Sequence, residues 1–435
     1  MIIYILLAII IVEFVLSFVL FEKNIISPAC VFSAVFVVAL LDLIRNIEYW
    51  SVGLHVNTCL IIIFGITSFI ICAAIIKGML IPISYKKKII HTRGVNVGFD
   101  KVIISICFNT IALYAFYRSV RRIVGSRNSG GSIASIIHAY RILSVTKIDE
   151  STLPGYVNYL NIIVYAIGTL WVYVLIDNYL TKRRWNVGAI INIILVCLNY
   201  FVTGSRGKLI YFILSIVPMF YFLWCASVGR ISSLPFKYII GFLLVLILLA
   251  FSFKGMAQLT GRNVQAGMLK HISINLSAPI LNLDYYAQKE WIPPRIWGYS
   301  TFNQIENSLG RNFGLRFLIH RADLAYRFVN KKALGNVATT FYPFYHDFHY
   351  VGVIVLCGLM GLISQFIFEV SKRAIFDPDG IKLSVIVYSD VFIRIAFCFF
   401  SDRFYDRFVT ISFIITFFIW AVSIKFLKRI RITVG

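Results

Sequence analysis

The stretch "NVATTFYPFYHDFHYVGVIVLCGLMGL" (336–362) delivers His346, Asp347 and His349 just before a long apolar run. A carboxylate between two histidines can move protons, taking one from an attacking hydroxyl as a bond forms. Zinc fits poorly, because no matching third ligand is evident and the spacing is not HExxH. Upstream, His320 and Asp323 offer further acid–base groups. The neighbouring aromatics Tyr342, Phe344 and Tyr345 read equally well as an interfacial belt.

A second group of residues could hold an anion. In "NYFVTGSRGKLIYFI" (199–213), two apolar stretches flank Gly204-Ser205-Arg206-Gly207-Lys208. The glycines let backbone approach a ligand, and Arg206 offers a planar fork to phosphate oxygens, with Lys208 beside it. The break reads also as a tight turn whose cations snorkel to headgroups. A Walker A loop is excluded by spacing. From Lys254 to Lys332 there are eleven Lys and Arg against four carboxylates, Asp284, Glu290, Glu306 and Asp323. A solvated face mixes signs, so the excess points to an anionic ligand. Arg262, Arg295, Arg316 and Arg321 lie nearest turn signals or helix starts. "DPDG" (377–380) has Asp-x-Asp metal spacing, but Pro378 and Gly380 favour a plain turn. Asp390 and Arg394, four apart in an apolar run, read as a mutually neutralising pair.

The elements that position these residues follow from composition. The 435 residues are 59% hydrophobic and only 14% charged, where a soluble domain carries about a quarter. Apolar runs of about 20 residues, each able to span the hydrocarbon core as helix, predict an all-α polytopic integral membrane protein. Spans are expected at 2–21, 27–45, 57–77, 101–118, 156–178, 187–203, 208–228, 238–254, 351–371, 383–400 and 408–425, about eleven in all. The organisation is an N-terminal bundle over 1–254 with an outward segment at 119–155, a long loop over 255–350, and C-terminal spans over 351–435. Helical patterns are expected in the loop at "QAGMLKHISINLSAPILNLDYYAQ" and "SLGRNFGLRFLIHRADLAYRFVN".

The net charge of +23 lies between spans, which excludes nucleic acid as its reason and suits topology signals and anionic lipid. Basic connections at 84–94, 181–186, 371–376 and the C-terminal tail fall on one side by span count, which is then cytoplasmic. The loop 255–350 and "SDRFYDR" (401–407) face outward. Arg118, Arg121, Arg122 and Arg127 also fall outward, against the charge rule. The eight cysteines lie in or beside apolar runs and read as small buried hydrophobes.

Four stretches together resemble the O-antigen or oligosaccharide repeat-unit polymerases (Wzy) of bacterial envelopes. They are "SIIHAYRILSV" around Arg141, "TGSRGKLI" around Arg206, "RIWGYSTFNQI" around Gly298, and "NVATTFYPFYHDFHYVGV" around Asp347 and Gly352. The sequence departs from the family at His349, where a glycine is expected. The resemblance implies a GT-C-like helical bundle with a long helical periplasmic loop, in the bacterial inner membrane. It implies a reaction between two undecaprenyl-diphosphate-linked oligosaccharides, donor and acceptor, at the periplasmic face, needing neither cofactor nor metal. Arg206, Lys208, Arg141, Arg262 and the other loop arginines would then hold the diphosphate. A chain-length-determining co-polymerase is a further partner the resemblance raises. An O-antigen ligase shares the donor but uses lipid A-core as acceptor. A lipid-linked oligosaccharide flippase would more readily show short outer loops.

Overall fold

In the computed structural model, residues 1–80, 94–125, 133–146, 153–202, 206–242, 244, 268–377 and 380–428 are described. The protein is mostly helical and polytopic. Among the described residues, seven helices are long and apolar enough to cross a membrane: Ile2–Leu20, Pro28–Trp50, Val56–Met79, Phe99–Val124, Gly155–Lys182, Gly207–Val228 and Phe341–Ala374. Helices Val187–Val202, Leu383–Ala396 and Ile411–Lys428 coincide with further expected spans. The expected span at 238–254 lies largely outside the described residues. Within Gly207–Val228 the helix breaks at Ser215, between Arg206–Leu214 and Ile216–Val228. Pro218 accounts for the break, since it has no N–H to give the Leu214 carbonyl.

The chain divides into two compact units. The first comprises Met1–Ser84, Ala266–Arg373 and Asp390–Phe413; the second comprises Tyr85–Gln265, Ala374–Ser389 and Ile414–Gly435. In the first, the N-terminal helices pack with Phe341–Ala374 around an aromatic core. Phe32 stacks on Phe69 at 4.4 Å, and Phe36 meets Phe341 at 5.0 Å. Asp42, on Pro28–Trp50, ties down helix Met268–Leu276 and its exit by accepting hydrogen bonds from Ser273 (3.1 Å) and Ser277 (2.6 Å). The expected Asp390–Arg394 pair forms with two contacts, at 2.7 and 3.1 Å.

Polar side chains hold the second unit together. Asn192 Oδ1 accepts from Ser105 (2.7 Å) and Asn109 (2.9 Å), and Trp171 Nε1 donates to Ser105 Oγ at 2.7 Å. Such bonds suit helices surrounded by lipid, where apolar burial alone does not draw helices together. Cys30, Cys59, Cys225, Cys357 and Cys398 are buried as expected, whereas Cys107 is exposed.

The long loop is not helical throughout. The first expected pattern forms two helices, Met268–Leu276 and Ala278–Ala287. The second fails: helix Asn303–Phe313 ends at Gly314 (φ 71), which caps it in the left-handed conformation. Beyond a short turn at Arg316–Leu318 the chain extends into an antiparallel hairpin, Arg327–Val329 with Lys332–Gly335. Asn330 and Lys331 connect the strands with φ 49 and 61, the positive pair that a two-residue hairpin turn requires. The helical pattern expected through 330 is overridden here by strand pairing.

The first unit has two distinct ends. From His349 to Lys372 its long helix rises about 35 Å, more than the hydrocarbon thickness. At one end Lys372 and Lys77 both pair with Glu22 (3.6 and 3.1 Å). At the other, Asp347 meets the loop residues Ser300 and Thr301. Single cysteines at two exposed positions, Lys23→Cys and Asn312→Cys, in a background lacking the native thiols, should therefore label with impermeant reagent from opposite sides of a sealed vesicle. Labelling of both from the same side would refute this placement.

Candidate functional site

The site is built where the loop meets helix Phe341–Ala374. That helix is kinked at His349, whose φ 56 and ψ −149 are non-helical. This is the position at which the family resemblance calls for glycine, and the backbone adopts a glycine-type conformation there. Three residues on, a Cβ at Gly352 would strike the Phe344 carbonyl oxygen and lie 2.5 Å from Phe348 Cβ. The kink thus depends on the missing side chain. Trp291 Nε1 donates to the His346 carbonyl at 3.0 Å, satisfying a backbone acceptor beside the bend.

The turn before helix Asn303–Phe313 presents two backbone amides to Asp347. Oδ2 accepts from Ser300 N at 2.9 Å and Thr301 N at 2.7 Å, and Oδ1 lies 2.7 Å from His346 Nδ1. The Asp347 side chain is fully buried, while that of His346 is 33% exposed. An ionised carboxylate accepts all these bonds at once, so His346 carries its proton on Nδ1. Its Nε2 is left as the acceptor and meets no partner among the described residues. The Ser300 hydroxyl lies 3.2 Å from the same Nδ1. A Ser-His-carboxylate triad needs the hydroxyl on the opposite nitrogen, so Ser300 is not a nucleophile in this arrangement. What remains is an imidazole base oriented by a buried carboxylate.

His349 sits differently. Its Nε2 lies 3.1 Å from the Tyr345 hydroxyl, and its ring packs against Trp291, Tyr345 and Tyr350 at 5.1, 4.7 and 4.8 Å. His320 is a pin within the loop: it stacks on Tyr299 at 4.2 Å, with Nε2 2.9 Å from the Tyr299 carbonyl and Nδ1 3.0 Å from that of Leu318. Glu306 Oε2 is 3.4 Å from His320 Nε2. Burial raises the Glu306 pKa, offset in part by His320 and reinforced by Asp347. Asp323 is exposed.

Two of the four resembling stretches, those around Gly298 and Asp347, therefore meet. Neither composition nor spacing signalled that Ser300 and Thr301 supply the amides. The other two stretches belong to the second unit. Arg141 lies on helix Ile133–Thr146, and Arg206 opens helix Arg206–Leu214; the side chains of both are outside what is described. Gly207 and Lys208 are thus in a first helical turn rather than a loop, and both are exposed. Arg262 lies outside the described residues. Arg295, Arg316 and Arg321 are exposed on the loop that carries Ser300, and Arg295 and Arg316 make no ion pair among the described residues. Of "DPDG", Pro378 and Asp379 are outside the described residues, and Asp377 lies 3.2 Å from Lys382.

Comparison with family models, curated proteins and solved structures found no match to this chain.

Proposed function

We propose that the chain is a membrane glycosyltransferase. It would polymerise undecaprenyl-diphosphate-linked oligosaccharide repeat units into an O-antigen- or capsule-like polysaccharide at the periplasmic face of the bacterial inner membrane. The observation that carries this reading is the imidazole of His346, held by buried Asp347 at the end of a membrane-spanning helix. The four resembling stretches supply the substrate class.

The acceptor hydroxyl gives its proton to His346 Nε2 as its oxygen bonds to the donor's anomeric carbon. The bond from that carbon to the diphosphate oxygen breaks, and its electron pair leaves with the diphosphate. Asp347 keeps the ring in the required tautomer and stabilises the imidazolium that forms. Arginines of the loop meet the developing charge on the diphosphate, and the resemblance gives Arg206 and Lys208 a phosphate-holding role of their own.

Purified protein given only the lipid-linked repeat unit should yield a ladder of chain lengths. A product that forms only when lipid A-core is added would select the ligase, and transport without bond formation would select the flippase. Within this reading Arg206→Ala should lower polymer formation by about one to two decades at unchanged protein level, the loss of one charge-assisted contact of about 1.5–3 kcal/mol. Arg206→Lys should recover only part, since lysine keeps the charge and loses the fork. Wild-type ladders from Arg206→Ala would make the segment a plain helix start.

A further inference from the structure

A second polar constellation lies in the first unit and takes no part in the reaction above. His55 precedes helix Val56–Met79 in extended conformation, and Asp284 lies on helix Ala278–Ala287. Asp284 Oδ1 accepts from the His55 amide (2.9 Å) and the Thr58 hydroxyl (2.7 Å), and Oδ2 lies 2.8 Å from His55 Nδ1. The carboxylate side chain is 5% exposed and the imidazole 62% exposed. Its hydrogen-bonding capacity is thus spent on holding His55, whose Nε2 is left to meet a ligand.

Arg327 lines the same cavity as His55, with Lys289 outside the lining. The Arg327 guanidinium lies 3.5 Å over the Tyr285 ring, and Lys289 Nζ lies 4.4 Å from the same ring. Arg327 also donates to Asn282 Oδ1 at 3.0 Å. Neither cation makes a salt bridge among the described residues. Burial pushes the Arg327 pKa down, offset in part by the nearby Tyr286, Tyr285 and Asp284. His55, Asp284, Tyr285, Gln288 and Arg327 line an open cavity of about 350 Å³, together with aliphatic side chains such as Leu281 and Val329. That is room for about a dozen waters at about 30 Å³ each, which suits a single sugar ring with its substituents and not a lipid chain.

We propose that this cavity binds a small carboxylate-bearing ligand of the acidic-sugar class, its carboxylate taken by Arg327, a ring hydroxyl donating to His55 Nε2, and its ring set against the aliphatic wall beside Gln288. The fork of Arg327 fits carboxylate and phosphate alike. Asp284 in the wall favours the monoanion, because a dianionic phosphate would face a buried like charge. The assignment rests on cavity chemistry and is measured by binding without turnover, so it stands or falls separately from the polymerase reading.

The experiment is calorimetric titration of the full chain in nanodiscs of neutral lipid, with glucuronate, glucose and inorganic phosphate as probes. Glucuronate should bind saturably, with glucose and phosphate each about tenfold weaker or more. Arg327→Gln should weaken glucuronate by about tenfold or more, the loss of a charge-assisted contact. If that variant does not fold, Gln288→Ala, at an exposed position in the lining, should weaken it in the same direction. Absence of glucuronate binding to the wild type, equal affinity for glucose, or tighter binding of phosphate would each overturn the proposal. So would unchanged affinity in the folded variants.

Discussion

His346→Ala is expected to reduce chain-length ladders by about 10²–10⁴-fold, the usual worth of general acid–base catalysis, while leaving protein level near normal. The side chain is partly exposed and its removal orphans only part of Asp347's hydrogen bonding, since two backbone amides still satisfy that carboxylate. Asp347→Asn should lose a comparable amount of activity for a different reason. Its single oxygen still accepts from the Ser300 and Thr301 N–H groups, but its NH2 faces His346 Nδ1 and donates to it, which moves the ring proton to Nε2 and removes the base. The loss should therefore appear in activity with little change in the thermal transition of the purified protein. Because the two residues act as one unit, the double variant should be no less active than His346→Ala alone. Near-normal ladders from both single variants would leave this mouth a structural feature. A double variant losing the product of the two effects would mean that they act independently.

Gly352→Ala should be the most damaging small change to the fold around the site. An added methyl would meet the Phe344 carbonyl oxygen, a backbone atom that cannot rotate aside, and Phe348 Cβ at 2.5 Å. Overpacking of this kind costs about 1–3 kcal/mol or more, and here it would straighten the kink that aims His346. Thermal melts should show the loss, and ladders should fall with it. Gly53→Ala, where an added Cβ meets nothing within 4 Å, is the control and should melt as the wild type does. His349→Gly should fold at least as well as any other substitution there, since φ 56 with ψ −149 is costly for a side-chain-bearing residue. Equal melts for Gly352→Ala and the control would mean that the bend tolerates a side chain.

The spans were legible in the sequence because lipid imposes a simple rule: about 20 apolar residues, with every backbone group bonded within the helix. That rule located helices such as Ile2–Leu20, Val56–Met79 and Gly155–Lys182 to within a few residues. His346 and Asp347 stood out for a similar reason, as ionisable groups beside an apolar run. The division of labour between them was not legible. It depends on Ser300 and Thr301, 46 or 47 residues earlier in the chain, arriving with their amides pointed at Asp347. The hairpin at Arg327–Gly335 was likewise misread, because a short segment of mixed polarity fits either period and only its pairing partner decides. The same holds for Asp284, which counted in the sequence as one carboxylate among many cations. Only the folded chain, which brings His55 and Thr58 to it from more than 200 residues away, makes it the holder of an exposed imidazole. Local rules set which segments are helices. Which polar groups are buried together is set by contacts between distant segments, where an unpaired group costs too much to leave unmatched.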